Sequence, residues 1–192
     1  MDTYIMQTGF NLTNHFLIAM PALNDPNFFH TVTYICEHTS NGAMGIVINR
    51  PTDMQLSEIF EHMKIAGSSE KPSHMPVYFG GPVEEDRGFI LHHFDKNWDS
   101  TMQITENLAI STSRDILEAI AHDEGPDKAL VALGFAGWGA GQLEREMSEN
   151  SWISGPADDA IIFDIANEER WQQAARHIGI DLNLLTSEAG HA

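Results

Sequence analysis

The chain has 192 residues and a mass of 21.4 kDa, and its 28 Asp and Glu against 10 Lys and Arg give a formal charge of −18. A chain this long buries about 70% of its unfolded surface, so a self-sufficient core needs no staples and one domain over 1–192 is expected. The single cysteine, Cys36, excludes an intramolecular disulfide and an all-cysteine zinc cage.

Phosphate backbones are held by clustered Lys and Arg. Here the first basic side chain is Arg50, and Arg50, Lys64, Lys71 and Arg87 are scattered singly among acids, which disfavours direct nucleic-acid binding and anionic membrane surfaces. The longest apolar run, 129–136, is eight residues, against about 20 for a bilayer span. Met1 to Met6 has neither a basic stretch nor an apolar core, so no secretory leader is read there and a reducing, cytoplasmic setting is expected.

The early chain reads as strands. Phe16 to Met20 is apolar and stops at Pro21, Asn24-Asp25-Pro26-Asn27 has turn chemistry, and Thr31 to His38 is rich in β-branched and aromatic residues. Ser40-Asn41-Gly42 predicts a tight turn into a hairpin partner, Ala43 to Asn49. Leu56, Ile59, Phe60 and Met63 fall on one face of a helix, which Gly67-Ser68-Ser69 ends. Val77 to Phe79 leads into Gly80-Gly81-Pro82, the acidic Glu84-Glu85-Asp86 reads as a turn, and Phe89 to His92 as a strand. Met102 to Ile104 and Leu108 to Ile110 follow as short strands.

A second helix starts near Ser113, with Ile116, Leu117, Ile120 and Ala121 on one face, and stops at Gly125-Pro126. Leu130 to Ala136 is a continuously apolar strand, placed centrally in a sheet. A glycine turn opens a third helix over Gln142 to Met147, with Asn150-Ser151-Trp152 as its exit. Ala160 to Phe163 is read as a late strand, Glu168 to His177 as a last helix, and the tail from Thr186 as loose. Hairpins early and helices late favour α+β with a mixed sheet.

Four constellations could carry chemistry. Glycines at 134, 137, 139 and 141 lie between an apolar strand and a helix start, where backbone N–H groups can meet an anion, although a close-packed turn needs glycine equally. On the third helix Gln142 and Glu146 are neighbours while Glu144 points elsewhere, and Glu144, Glu146 and Glu149 could supply a general base or a metal carboxylate, or cover a solvated surface. Cys36 and His38, two apart on a strand, are expected to face the same way, as a thiolate nucleophile or as core. His92 and His93 face opposite sides. No sequence signature of a metal site, a Rossmann fold or a serine elbow is present, and no cofactor is expected.

These blocks fall in a familiar order. Phe16 to Leu23 with Asp25-Pro26-Asn27-Phe28 and Cys36-Glu37-His38, then Gly42 to Pro51, then Gly80-Gly81-Pro82-Val83 with Arg87 to His92, then Gly137 to Glu144 through Trp152, resemble the AlgH/YqgE family over residues 8–185. The resemblance implies an α+β fold with a complex, bifurcated mixed sheet, a small barrel-like part and flanking helices. Members of that family carry the description of transcriptional regulator, and no catalytic residue comes with it.

With a charge of −18, the expected function is a non-enzymatic regulatory or binding module that acts through a protein or small-molecule partner. The candidate binding surface combines Arg50, Gly80, Gly81, Pro82, Arg87, Gly137, Trp138, Gly139, Gly141, Gln142, Glu144 and Glu146. The alternative is an enzyme on a small anionic substrate, with Glu144 or Glu146 as base, Arg50 or Arg87 as clamp and His38 or His92 as acid.

Overall fold

The computed structural model describes residues 10–187. Met1 to Met6 and the tail beyond Ser187 lie outside the described residues. The elements in order are β1 (His15–Ala19), β2 (Val32–Thr39), β3 (Gly42–Val47), β4 (Pro51–Gln55), α1 (Leu56–His62), α2 (Glu70–Ser73), β5 (Pro76–Phe79) and β6 (Val83–His93). They continue with β7 (Thr101–Gln103), β8 (Leu108–Ser111), α3 (Arg114–Ala121), β9 (Ala129–Gly139), α4 (Gln142–Ser148), β10 (Trp152–Pro156), α5 (Asp159–Phe163), α6 (Asn167–His177) and α7 (Leu182–Ser187).

The fold is α+β, with a sheet curled into a half-barrel. Its strands run β10-β1-β2-β3-β9-β6-β8-β7, with β4 and β5 branching from the path. Continuously apolar β9 is the trunk. One edge pairs with β6 from Ala129 to Phe135. The other takes β5 in parallel over Val131 to Leu133, then β3 antiparallel over Ala136 to Gly139. The sheet forks at Gly80, whose N–H donates to Leu133 and whose carbonyl accepts from Val47.

Strand alternation divides the interior into three clusters. Phe16, Ile18, Tyr34, Leu130 and Ala132 face α5 and α6. Val131 and Ile90 face α1 and α3 through Leu56, Phe60, Ile116 and Leu117. Leu17, Ile35, Ala136 and Trp138 face α4 and the 20–30 loop through Leu143 and Phe28. Both faces of β1 and β2 are therefore covered, which is why Phe16 to Ala19 and Val32 to Cys36 are all buried, Thr33 included. Each such large side chain contributes about 1.5–3 kcal/mol on burial.

Four expectations about the elements are corrected. Ala160 to Phe163 forms helix α5 rather than a strand, because the Asp158 carboxylate accepts the Ile161 N–H and caps a helical start. Glu84-Glu85-Asp86 is no turn between elements but part of β6, in a bulge where Val83 pairs with Phe135 and Gly88 with Leu133. Gly137 and Gly139 continue β9 instead of turning, so the turn into α4 is confined to Ala140 and Gly141. Thr186 and Ser187, expected to be loose, belong to α7.

Candidate functional site

The glycine-rich segment at the end of β9 is tied down by α4. Gly141 adopts φ 73°, a left-handed conformation suited to glycine, and launches the helix. The Gln142 Oε1 accepts the Gly139 N–H at 3.0 Å, and its Nε2 donates to Glu146 Oε1 at 3.0 Å. Glu146 Oε2 accepts both indole N–H groups, Trp138 and Trp152, each at 2.9 Å. Trp138 and Trp152 pack edge to face, with Phe28 beside them. The Glu146 carboxylate is the hub of this corner, and its oxygens are committed to protein donors.

Glu144 points the other way and meets His38, whose Nε2 lies 2.8 Å from its Oε1. The Leu12 backbone N–H donates to His38 Nδ1 at 3.0 Å, so Nδ1 is the acceptor and the proton sits on Nε2, donating to the carboxylate. A hydrogen bond from its own backbone N–H and the His38 contact hold Glu144 below the usual carboxylate range. His38 is buried while Glu144 reaches solvent.

The expectation that Cys36 and His38 face the same way is overturned by a β-bulge between Ile35 and Glu37. The extra residue reverses the alternation, so Cys36 enters the α5–α6 cluster while His38 lies across from Ala43, on the other face. Burial pushes the Cys36 thiol up. A thiolate–imidazole pair cannot form here.

The remaining sequence candidates are spread out. Arg50 donates to the carbonyls of Pro26, Asn27 and Phe29, pinning the loop before β2. Arg87, exposed on the β6 bulge, pairs with Glu84 at 3.1 Å and lies over the Phe89 ring. Gly80 and Gly81 cross β9 so closely that a Cβ at Gly81 would lie 2.1 Å from the Phe135 carbonyl carbon. Pro82 is exposed beside them, and Val83 packs within 3.8 Å of the Cβ position of Gly137. The backbones of this set meet, but no hydrogen bond or ion pair joins Arg50 or Arg87 to His38–Glu144 among the described residues.

Two histidine clusters lie elsewhere. His92 Nδ1 donates to the His93 carbonyl, so Nε2 accepts from the Ser111 hydroxyl at 2.8 Å. Both residues are fully buried, and burial lowers the His92 pKa; no substrate reaches that hydroxyl. His93 is bracketed by Asp127 at 2.9 Å and Asp159 at 2.8 Å. Burial alone would lower its pKa, but hydrogen bonds to Asp159 and Asp127 outweigh it and raise it. This bracket lies in an open cleft of about 530 Å³ with Asp95 on its wall. Among the described residues no group of three His, Cys, Asp or Glu is disposed to hold a metal ion.

One largely apolar concavity was not legible in the sequence. It measures about 410 Å³ and lies between α1, α3 and the β6–β9 pair. Its walls are Met54, Ile59, Met63, Ile90, Leu117, Val131 and Leu133, with Glu58, His62, Asp86 and Thr112 as polar groups. Ile59 and Met63 belong to the apolar face read from the helix periodicity, yet only Leu56 and Phe60 of that face are fully covered. An apolar stripe wider than its packing partner was the available signal. Gly88 forms part of the wall, and a Cβ there would meet nothing within 4 Å. The size falls within the range of small-molecule sites, which combine apolar walls with a few polar groups.

The comparisons with known proteins agree with the earlier resemblance. The AlgH-like family matches residues 16–183. A UPF0301 protein of Thioalkalivibrio sulfidiphilus is 56% identical over 187 residues, covering 97% of this chain and 100% of its own. A Methylococcus capsulatus UPF0301 protein is 53% identical over 180 residues, covering 94% of this chain and 96% of its own. The solution structure of AlgH from Pseudomonas aeruginosa superposes with a TM-score of 0.79 at 52% identity, covering 95% and 96% of the two chains. A Corynebacterium diphtheriae crystal structure shares the fold at 18% identity and a TM-score of 0.73, covering 94% of each. No helix among the described residues is long and apolar enough to cross a membrane. With matches spanning nearly the whole chain and the overall fold common to both solved neighbours, the chain belongs to the AlgH-like family of UPF0301 proteins.

Proposed function

We propose that this chain is a non-enzymatic, single-domain binding module of the cytoplasm that receives a small ligand in the α1–α3–β6 cleft. The observation that carries this reading is the contrast between two regions. In the glycine-rich corner the candidate side chains of the sequence-read surface are already bonded: Glu146 to two indoles and Gln142, Glu144 to His38. In the cleft, apolar side chains, some of them partly exposed, line a concavity of about 410 Å³. The alternative enzyme needs a cation beside His38–Glu144, and Arg50 and Arg87 are committed elsewhere. The transcriptional role attached to the resemblance would run through the occupant of this cleft or a protein that senses it, since −18 opposes DNA.

The test is a heteronuclear NMR titration with 1-octanol, a neutral apolar probe. Methyl signals of Ile59, Leu117 and Val131 are expected to shift together, and Gly88→Leu, which grows a side chain on the cleft wall, should abolish the shifts while the melting temperature holds. Shifts that are absent, or that persist unchanged in a folded Gly88→Leu variant, overturn the proposal.

A further inference from the structure

Two of the polar groups that line the cleft are carboxylates, Asp86 and Glu58. Asp86 comes from the β6 bulge and Glu58 from α1, two different elements of the lining. Both positions are fixed by the fold. Glu58 Oε2 accepts the Gln55 N–H at 2.8 Å in the capping box of α1, which holds its side chain at the start of the helix. Asp86 is carried by a bulge in which the residues from Val83 to Gly88 oppose only Phe135 to Leu133 of β9. That bulge requires left-handed backbone on both sides, φ 49° at Glu84 and φ 75° at Gly134.

Neither Arg87 nor Arg114 is bonded to this pair, and His62 is the other ionisable side chain of the lining. Arg87 turns to Glu84, and Arg114 turns to Glu118 and to the Met63 and Lys64 carbonyls. Asp86 has no hydrogen-bond or ion-pair partner among the described residues, and Glu58 has only the Gln55 N–H on one oxygen. Below them Met54 and Met63 form unbranched, polarisable walls that adapt to the outline of an inserted chain.

Resting on the reading of the cleft as a receptor, we infer that its ligand is an amphipathic cation: an aliphatic or aromatic body seated against Met54, Ile59, Met63 and Leu117, with a protonated amine or guanidinium held between Asp86 and Glu58. A carboxylate-headed molecule with the same body meets two anions at the mouth. A protein bearing −18 also draws cations to itself at long range, so the experiment separates the cleft from the general field.

Three probes share one body: octylammonium, 1-octanol and octanoate, each titrated at physiological salt with the methyl shifts of Ile59 and Leu117 as the readout. Octylammonium should bind about tenfold or more tighter than 1-octanol, the usual gain from a charged hydrogen bond, and octanoate should bind more weakly than either. The double variant Asp86→Asn/Glu58→Gln, whose new amide at position 58 still serves the capping box, should bring octylammonium down to octanol. Glu168→Gln, on the solvent face of α6, should leave the order intact. Octanoate binding as well as octylammonium, or a preference that survives the double variant, overturns the head-group assignment while the receptor stands. Absence of octanol shifts in the cleft removes the receptor and this inference together.

Discussion

The Glu146 carboxylate accepts from two buried indoles at once, and truncating it should be severe. In Glu146→Ala the N–H groups of Trp138 and Trp152, 6% and 4% exposed, lose their shared acceptor, and Gln142 loses the anchor that holds its Oε1 on Gly139. Each buried donor bonded to a charged acceptor is worth about 1.5–3 kcal/mol, so two sum to about 3–6 kcal/mol. Glu146 is only partly buried, and water entering its place recovers some of that, leaving a cost of about 2–4 kcal/mol. At about 2–4 °C per kcal/mol for a chain of this size, the melting temperature should fall by roughly 4–16 °C. Glu146→Gln keeps one oxygen beneath both indoles but sets an amide donor against the Gln142 donor, and should cost about 1 kcal/mol. Urea unfolding followed by tryptophan fluorescence measures both. Glu146→Ala within about 0.5 kcal/mol of the parent, or Glu146→Gln as damaging as Ala, refutes the hub.

Other outcomes follow from the same geometry. Gly134→Ala combines φ 75° with a Cβ 2.3 Å from the Gly81 carbonyl oxygen, so about 1–2 kcal/mol of backbone strain is joined by a clash that moves main chain. Gly179→Ala, at φ 82° with nothing within 4 Å, should show the strain alone; equal melting temperatures for the two variants would dismiss the crossing as the cause. His93 has a pKa raised above its ordinary 6.5 by Asp159 and Asp127 against the pull of burial, so its contribution is complete below about pH 6.5 and fades as pH climbs through the folded value. The imidazole proton NMR midpoint should lie above 6.5, and Asp127→Asn with Asp159→Asn should bring it down; an unmoved midpoint counts against the bracket. Cys36, buried with its thiol pushed up, should react with a disulfide reagent at about pH 8 only as fast as the protein opens. Stoichiometric labelling within minutes would contradict that placement.

Long apolar runs made the sheet readable and also set the limit of the reading. β9 and most of β1 are continuously apolar because both faces are covered, β2 carries Thr33, Glu37 and His38 among its apolar residues, and α1 and α3 show their helical period. Ala160-Ile161-Ile162-Phe163 is as apolar as a strand, and only the Asp158 cap decides for helix. β4 and β10 escaped because their residues, such as Pro51-Thr52-Asp53 and Ser154-Gly155-Pro156, lack strand composition and gain their conformation from partners β5 and β1. At the site, the neighbour relation of Gln142 with Glu146 was legible from helical spacing. The Glu144–His38 bond, which joins residues 106 apart, was not.

Composition and local pattern were enough to establish an acidic α+β chain, its central apolar strand, its principal helices and its family resemblance, because each depends on neighbours in the sequence or on bulk charge. The fork of the sheet at Gly80, the bulge that sends Cys36 and His38 to opposite faces, the two indoles on one carboxylate and the cleft beneath Asp86 depend on register between distant strands. A one-residue slip in that register reverses which face a side chain occupies, and nothing in a linear pattern reports it.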